Sequence, residues 1–443
     1  MSDTCSLYLP CPRGLEQALV DEIRDIPGCE ARVEAMVTAG LLLRASLTDV
    51  MLLNLHSRIA SRVLLRVAQG PAAHADDVYR LALRQPWERW FDPSQTLRLH
   101  VTADRSPLTS LQFVTLRAKD GVCDHFRMHH GERPSVAREN PDVRVHVHLD
   151  ATSATLYLDT SGEALFKRGW RTEHGEAPLK ENLAAGLLRL VGWTPAAALY
   201  DPFCGAGTIA IEAAQVACAI APGLQRAFGF ERLQGFDAAR WRELREQAAA
   251  ARREPAAPLM AADIDPRMVR LTEANAQRAG VEQVLRVRQA DALDGAAPLS
   301  LADGQTGWVL SNPPYAERIE AKGAQSDDFL GRLGSRLKHG FTGWNAGLLL
   351  ADLRAERALG LKASRRHVLF NGPIECRLFT FALVAGRPTR GGPPPRGVPP
   401  LSPGAAPAPS PRIWWNLVGT NESERREAVG PIRAACVPPA GVK

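Results

Sequence analysis

The sequence predicts an α/β protein, with a doubly wound, mostly parallel sheet in its second half and a smaller α+β unit before it. Two observations carry this prediction. From about residue 198 onward, short apolar runs ending in Asp, Asn or Gly alternate with amphipathic stretches, as strands do when crossover helices join them. Before about residue 170, strand-like and helix-like stretches are mixed, and no glycine-rich phosphate loop occurs.

Taken in order, SLYLPC reads as a strand, and GLEQALVDEIRDI places Leu15, Ala18, Leu19 and Ile23 on one helical face, with Gly28 beyond its end. AGLLLRAS is a second strand. A helix is expected over about Thr48 to Ser57, a strand from Arg62 to Ala68, a helix at HADDVYRLALR and a strand at TLRLHVTAD. A helix from about Ser110 to Arg127 follows, and VRVHVHLD with ATLYLDTS forms a hairpin-like pair. His146 and His148 alternate along the first strand of that pair without a third ligand at zinc spacing, so they read as strand residues facing solvent or RNA, and no metal is expected.

The second unit begins near Pro178 with the amphipathic APLKENLAAGLLRLVGW. ALYDPFCGAGTIAIEAAQVA reads as strand, glycine loop and helix, and the pattern then repeats through PLMAADIDP, RMVRLTEANAQRAG, VLRVRQADAL, GWVLSNPPY, DDFLGRLGSRLKHG and AGLLLAD. RHVLFNG and ECRLFTFALVAG, joined at NGPI, suit an antiparallel edge. From Pro388 to Pro411 ten prolines are interleaved with Gly, Ala and Ser, a composition that cannot bury a core, so this tail is expected to be disordered. Within it IWWNLV, Ile413 to Val418, is an apolar island.

At 443 residues the chain is long enough for about two or three domains. No apolar run approaches the roughly 20 residues of a membrane span, and the start lacks a signal-peptide pattern, so a cytoplasmic location is expected. Eight scattered cysteines form no CxxC pair, which points to reduced thiols; Cys11 and Cys204 are expected to pack as small residues. The net charge of +6 lies mostly in the tail. Lys+Arg against Asp+Glu run 20 to 21 over residues 1–170, 26 to 24 over 171–386 and 8 to 3 over 387–443, so overall basicity is poor evidence for nucleic-acid binding.

The chemistry gathers at strand ends, where open parallel sheets bind ligands. In DPFCGAGT, Gly205 and Gly207 permit a tight turn, and the helix that follows offers backbone N–H groups to a carboxylate. There is no Walker lysine and no third glycine at dinucleotide spacing, which disfavours ATP hydrolysis and hydride transfer. Asp263 or Asp265 could accept two ribose hydroxyls, and Asp291 an adenine amine. Taken singly, each aspartate is equally a helix cap, DIDP before Pro266 above all. Carboxylate, ribose and adenine together describe S-adenosylmethionine. In SNPPYAERI, Asn312 and the Pro313 carbonyl could accept both N–H bonds of a base amine, and Tyr315 could stack on the ring.

DPFCGAGT, ADID, RQADAL and NPPY resemble class I S-adenosylmethionine-dependent methyltransferases of the NPPY type. NLHSRIASRVLLRVA, LRAKDGVCDHFR, LYLDTSGEALFKRGWRTEHGEAPLKENLAAGLL and NPPYAERI are similar to the bacterial RlmL-like 23S rRNA guanine-2-amino methyltransferases, over roughly residues 5 to 385. The resemblance implies a ferredoxin-like segment at 1–50, completed by strands near 150–170, and an RNA-binding THUMP domain at 51–160. A Rossmann-like catalytic domain with a mostly parallel seven-stranded sheet follows at 171–386, and then the tail at 387–443.

The same resemblance implies donor contacts at Lys180, Asn182, Asp201, Phe203, Gly205, Gly207, Thr208, Asp263, Asp265 and Asp291, and amine handling by Asn312, Pro313 and Tyr315. Ala316 stands where the family more often has glycine. Arg58, Arg62, Arg117, Lys119 and Arg127 are candidates for RNA phosphate contacts. One methyltransferase activity is expected, in a monomer acting on 23S rRNA or a ribosome assembly intermediate. A tRNA guanine-2-amino enzyme, an adenine-amine enzyme and a non-catalytic assembly factor are the alternatives.

Overall fold

The computed structural model describes residues 4–171, 179–294, 298–299, 301, 305–314, 326–351 and 355–384. The proline-rich tail, IWWNLV and Tyr315 lie outside the described residues.

The N-terminal unit is built on one seven-stranded sheet. Its first strands are β1 (Cys5–Pro10), β2 (Arg32–Val37) and β3 (Gly40–Ala45), with α1 (Glu16–Asp25) between β1 and β2. Next come α2 (Leu47–His56), β4 (Leu64–Pro71), α3 (Ala75–Leu83), β5 (Leu97–Ala103), α4 (Leu111–His130), β6 (Val143–Leu149) and β7 (Ser153–Asp159). The order is β2-β3-β1-β4-β7-β6-β5, and β4 joins the two halves by pairing antiparallel with both β1 and β7.

Local chemistry fixes the helix ends. The Asp49 carboxylate accepts from the Ser46 N–H and hydroxyl at 2.8 Å each, while the Ser46 hydroxyl takes the Asp49 N–H, a reciprocal cap for α2. Gly131, at φ +76°, ends α4 one turn beyond the expected Arg127. β2 has no counterpart in the sequence pattern because its first five residues are exposed, so no apolar face marks it and backbone pairing to β3 holds it.

The second sheet has the order β10-β9-β8-β11-β12-β14-β13. Its parallel strands are β8 (Ala198–Asp201), β9 (Leu259–Asp263), β10 (Leu285–Gln289), β11 (Gly307–Ser311) and β12 (Asn345–Leu350). β13 (Arg365–Asn371) and β14 (Ile374–Ala382) close it as the expected antiparallel edge, with Gly372 at φ +65° in their turn. The helices are α5 (Glu181–Val191), α6 (Thr208–Ala217), α7 (Ala238–Ala250), α8 (Pro266–Arg278), α9 (Ser326–Gly340) and α10 (Ala355–Leu359). The sequence pattern does not mark α7 or α10. No helix among the described residues is long and apolar enough to cross a membrane.

The two units share one apolar core. α5 lies so close to the N-terminal unit that a Cβ on Gly186 would come within 2.2 Å of Leu15 Cδ1. The Phe230 N–H donates to the Thr160 carbonyl at 2.9 Å, and the Gly223 N–H to the Leu55 carbonyl at 3.0 Å.

Charged residues cross this seam too, and they correct three expectations. Arg58 is drawn into the seam and not left on the surface: it pairs with Glu212 at 3.1 Å and donates to the Ile220 carbonyl, and Arg168 holds the other Glu212 oxygen at 3.0 Å. Glu212 is completely buried, so a cation must be drawn in to balance it. Arg62 is likewise buried, against Asp159 at 2.5 Å and the Gly162 carbonyl at 2.6 Å. His146, expected on an exposed strand face, is buried with Nε2 3.2 Å from the same Asp159 oxygen.

Candidate active site

The carboxyl ends of β8, β9, β10 and β11 lie side by side, with the change of strand order between β8 and β11. β8 ends on Asp201, which is buried. Its Oδ1 accepts from the Ser311 hydroxyl at 2.5 Å and from the Phe203 N–H at 3.3 Å. Burial pushes the Asp201 carboxyl up to about 7; the Ser311 and Phe203 hydrogen bonds pull it down, and the Asp263 charge pushes it up. Asp201 therefore ties the end of β8 to the end of β11.

The loop after β8 turns through Gly205 (φ +52°) and Gly207 (φ +84°), which need glycine for different reasons. A Cβ on Gly207 would meet Thr272 Cγ2 at 2.7 Å, so that glycine allows α6 to pack against α8. A Cβ on Gly205 would meet nothing within 4 Å, so the backbone there borders open space. Thr272 Oγ1 donates to the Gly205 carbonyl at 2.7 Å and Asn275 Nδ2 to the Ala206 carbonyl at 2.9 Å, turning both carbonyls toward α8. Thr272 and Asn275 carry out this task unnoticed in the sequence; the signal for them is a pair of polar residues three apart on the inward face of α8.

At the next strand end, Asp263 accepts the Gly205 N–H on Oδ2 at 3.0 Å and the Asp265 N–H on Oδ1 at 3.0 Å. It is half-buried, and each carboxylate oxygen keeps a lone-pair site for a further donor. Asp265 instead caps α8: it accepts the Arg267 N–H at 2.8 Å and pairs with the Arg267 guanidinium at 2.8 Å. The capping alternative thus applies to Asp265, and Asp263 is the acidic group left facing the loop. Asp291, beyond β10, is half-buried and accepts the Leu293 N–H at 2.9 Å.

On the acceptor side, Asn312 follows β11 half-buried and Pro313 is buried. Ser311, inside the SNPPY stretch but given no role by it, forms the latch to Asp201.

The remaining donor candidates lie at the starts of α5 and α6. Asn182 is buried and donates to Ser61 Oγ at 3.1 Å, which puts it at the seam between the units. Lys180 lies over the Phe166 ring at 4.8 Å. Thr208 starts α6, is buried, and accepts from Arg171 Nη2 at 2.5 Å. Arg171, unremarked in the sequence, also pairs with Glu181 at 2.8 Å. Far from the cleft, Arg117 contacts Asp76 at 2.8 Å, Lys119 contacts Asp120 at 2.7 Å and Arg127 contacts Asp124 at 3.3 Å; these pairs are more exposed than those of Arg58 and Arg62.

Three family models match the chain: an RlmL ferredoxin-like domain over residues 6–64, a THUMP domain over 72–159 and an RMKL-like methyltransferase domain over 168–380. Among curated proteins, it is 38% identical to the ribosomal RNA large subunit methyltransferase K/L of Methylococcus capsulatus, over 87% of this chain and 52% of that one. The enzyme of the same name from Pseudomonas aeruginosa is also 38% identical, over 85% of this chain and 53% of that one. The chain thus spans about half the length of the curated relatives it matches. Among solved structures, SMU.472 in complex with S-adenosylhomocysteine superposes with a TM-score of 0.76 at 26% identity, covering 88% of this chain and all of that one.

A seven-stranded sheet of this order, a glycine loop after β8 and acidic strand ends beside it define a THUMP-bearing protein of the class I methyltransferase fold, a class that uses S-adenosylmethionine as methyl donor. More particularly, the chain carries the RlmL ferredoxin-like, THUMP and RMKL-like methyltransferase domains in that order, and over them it is similar to the large-subunit ribosomal RNA methyltransferases K/L. The residues present suit that donor: open space at Gly205, the helix start at Thr208, and half-buried carboxylates at Asp263 and Asp291.

Proposed function

We propose that this protein methylates the exocyclic 2-amino group of a guanine in large-subunit 23S rRNA, free or within a ribosome assembly intermediate. One observation carries the reading: the Asn312–Pro313 backbone leaves β11 next to the glycine loop of β8, with Ser311 bonded to Asp201 across the gap. Donor and acceptor half-sites are thereby held in one frame. The names of the curated relatives support ribosomal RNA as substrate, and the sequence resemblance supports guanine.

The lone pair of a base amine is delocalised into the ring, so it must be turned toward the methyl group before it can attack. When bound, S-adenosylmethionine supplies an activated methyl on a sulfonium, a neutral leaving group that needs no general acid. Asn312 Oδ1 and the Pro313 carbonyl would accept the two amine N–H bonds, and the buried proline would keep that carbonyl from moving. Tyr315 would stack on the base. A paired guanine must first be unstacked to reach Asn312. Asp263 would hold the ribose hydroxyls and Asp291 the adenine amine.

The test is incubation with labelled donor and RNA from cells lacking the protein, followed by nucleoside mass spectrometry. Label in 2-methylguanosine of large-subunit rRNA is expected. Label only in methylated adenosine, or only in tRNA, would overturn the base or the substrate. Asn312→Ala is expected to lower transfer on the order of a hundredfold while leaving donor binding intact.

A further inference from the structure

Arg171 closes the segment LFKRGWR and is almost completely buried, with 7% of its side chain exposed. Three of its five N–H donors are used: Nε bonds Glu181 at 2.8 Å, and Nη2 bonds the Leu179 carbonyl at 3.2 Å and Thr208 Oγ1 at 2.5 Å. Its face stacks on the Trp170 ring at 5.3 Å. The other two belong to Nη1, which is buried and has no hydrogen-bond partner among the described residues. Leaving charged N–H groups unmet in a protein interior is costly, so such an atom marks a place where an acceptor belongs.

That place is defined by the geometry around it. Nη1 and Nη2 share one carbon, so Nη1 lies within a few ångströms of the hydroxyl at the first residue of α6. The first N–H groups of a helix have no intrahelical acceptor and favour an anion. The two loop carbonyls that would repel an anion here, Gly205 and Ala206, are drawn toward Thr272 and Asn275. Open space begins at Gly205.

We infer that Arg171 Nη1, together with the start of α6, binds the α-carboxylate of the methyl donor. Arg171 then serves two carboxylates: Glu181 holds the guanidinium in place from Nε, and the donor's carboxylate completes it from Nη1. The helix N-terminus offsets the surplus negative charge. The inference concerns the donor alone and stands whichever base is methylated.

Calorimetry on the full chain, with S-adenosylmethionine and its decarboxylated analogue as paired ligands, tests this. Wild type is expected to prefer the carboxylated ligand, and Arg171→Met to reduce that preference by roughly tenfold to a hundredfold while affinity for the decarboxylated ligand changes little. Because Arg171→Met leaves Glu181 buried without its partner, the double variant Arg171→Met/Glu181→Gln, checked by thermal melting, is measured alongside. The preference is a ratio within each protein, so a general loss of stability does not imitate it. Equal weakening toward both ligands, or an unchanged ratio in either variant, overturns the inference.

Discussion

Asp159 and Asp201 are each the last residue of a strand, β7 in one sheet and β8 in the other, and both are buried. Their surroundings set them apart. Asp159 faces Arg62 at 2.5 Å and His146 at 3.2 Å, and its carboxyl is held at about 2 although burial opposes this. Asp201 accepts from the Ser311 hydroxyl and the Phe203 N–H and pairs with no cation among the described residues, and burial carries it to about 7. Burial alone therefore says little about a carboxylate's role. A cation at its side makes it part of the scaffold, whereas its lack leaves the group close to titration beside the reacting centre.

The scaffold half of this contrast is open to the strongest test. Glu212 balances both Arg58 and Arg168 at the seam, so Glu212→Ala would strand two buried cations. A loss of about 3–5 kcal/mol in urea denaturation is expected. A loss below about 1 kcal/mol would mean that water reaches the arginines and that the seam is not held by charge.

The two aspartates should also give stability opposite slopes with pH. The folded pKa of Asp159 lies below the ordinary carboxyl value, so its contribution is present above about pH 4 and is lost as pH falls toward 2. At 1.36 kcal/mol per unit this amounts to about 2 kcal/mol. Asp201 runs the other way: its folded pKa is raised, so its favourable contribution is complete below about pH 4 and is lost as pH rises through about 7. Melting temperature followed from about pH 2 to 8 should therefore show both limbs. Asp201→Asn should flatten the limb between about pH 4 and 7 and leave the acid limb in place. An unaltered upper limb would remove Asp201 as its source.

Much of the catalytic sheet was legible because its signals are local. Short apolar runs ending in DPFCGAGT, DID, AD and NPPY placed Asp201, Asp263, Asp291 and Asn312 at adjacent strand ends. What stayed hidden depends on distant partners. Arg58 reads like any surface arginine until Glu212, 154 positions later, is seen to be buried beside it. Arg62 is the same case with Asp159, 97 positions on. Asp263 and Asp265 are indistinguishable in DIDP because both precede a helix, and only the neighbouring Gly205 N–H and Arg267 side chain separate them. Arg171 escapes notice because its importance lies in an unmet N–H, which composition and spacing do not reveal.

The smallest effect is expected where ion pairs are partly exposed to water. Arg127 pairs with Asp124 at 3.3 Å with 56% of its side chain exposed, and Lys119 with Asp120 at 2.7 Å; Arg117 lies 4.2 Å over the Tyr79 ring. Pairs of this kind add little to stability because water screens them and long side chains must be ordered to form them. Neutralising all three, as Arg117→Gln/Lys119→Gln/Arg127→Gln, should shift unfolding free energy by no more than about 1 kcal/mol. If these residues meet RNA phosphates, the same variant should make the plot of log affinity against log salt shallower by about 2 to 3, nearly one for each phosphate that is no longer neutralised. A stability loss as large as that of Glu212→Ala would erase the distinction between partly exposed and buried charge. An unchanged salt slope would place the RNA on another face of the N-terminal unit.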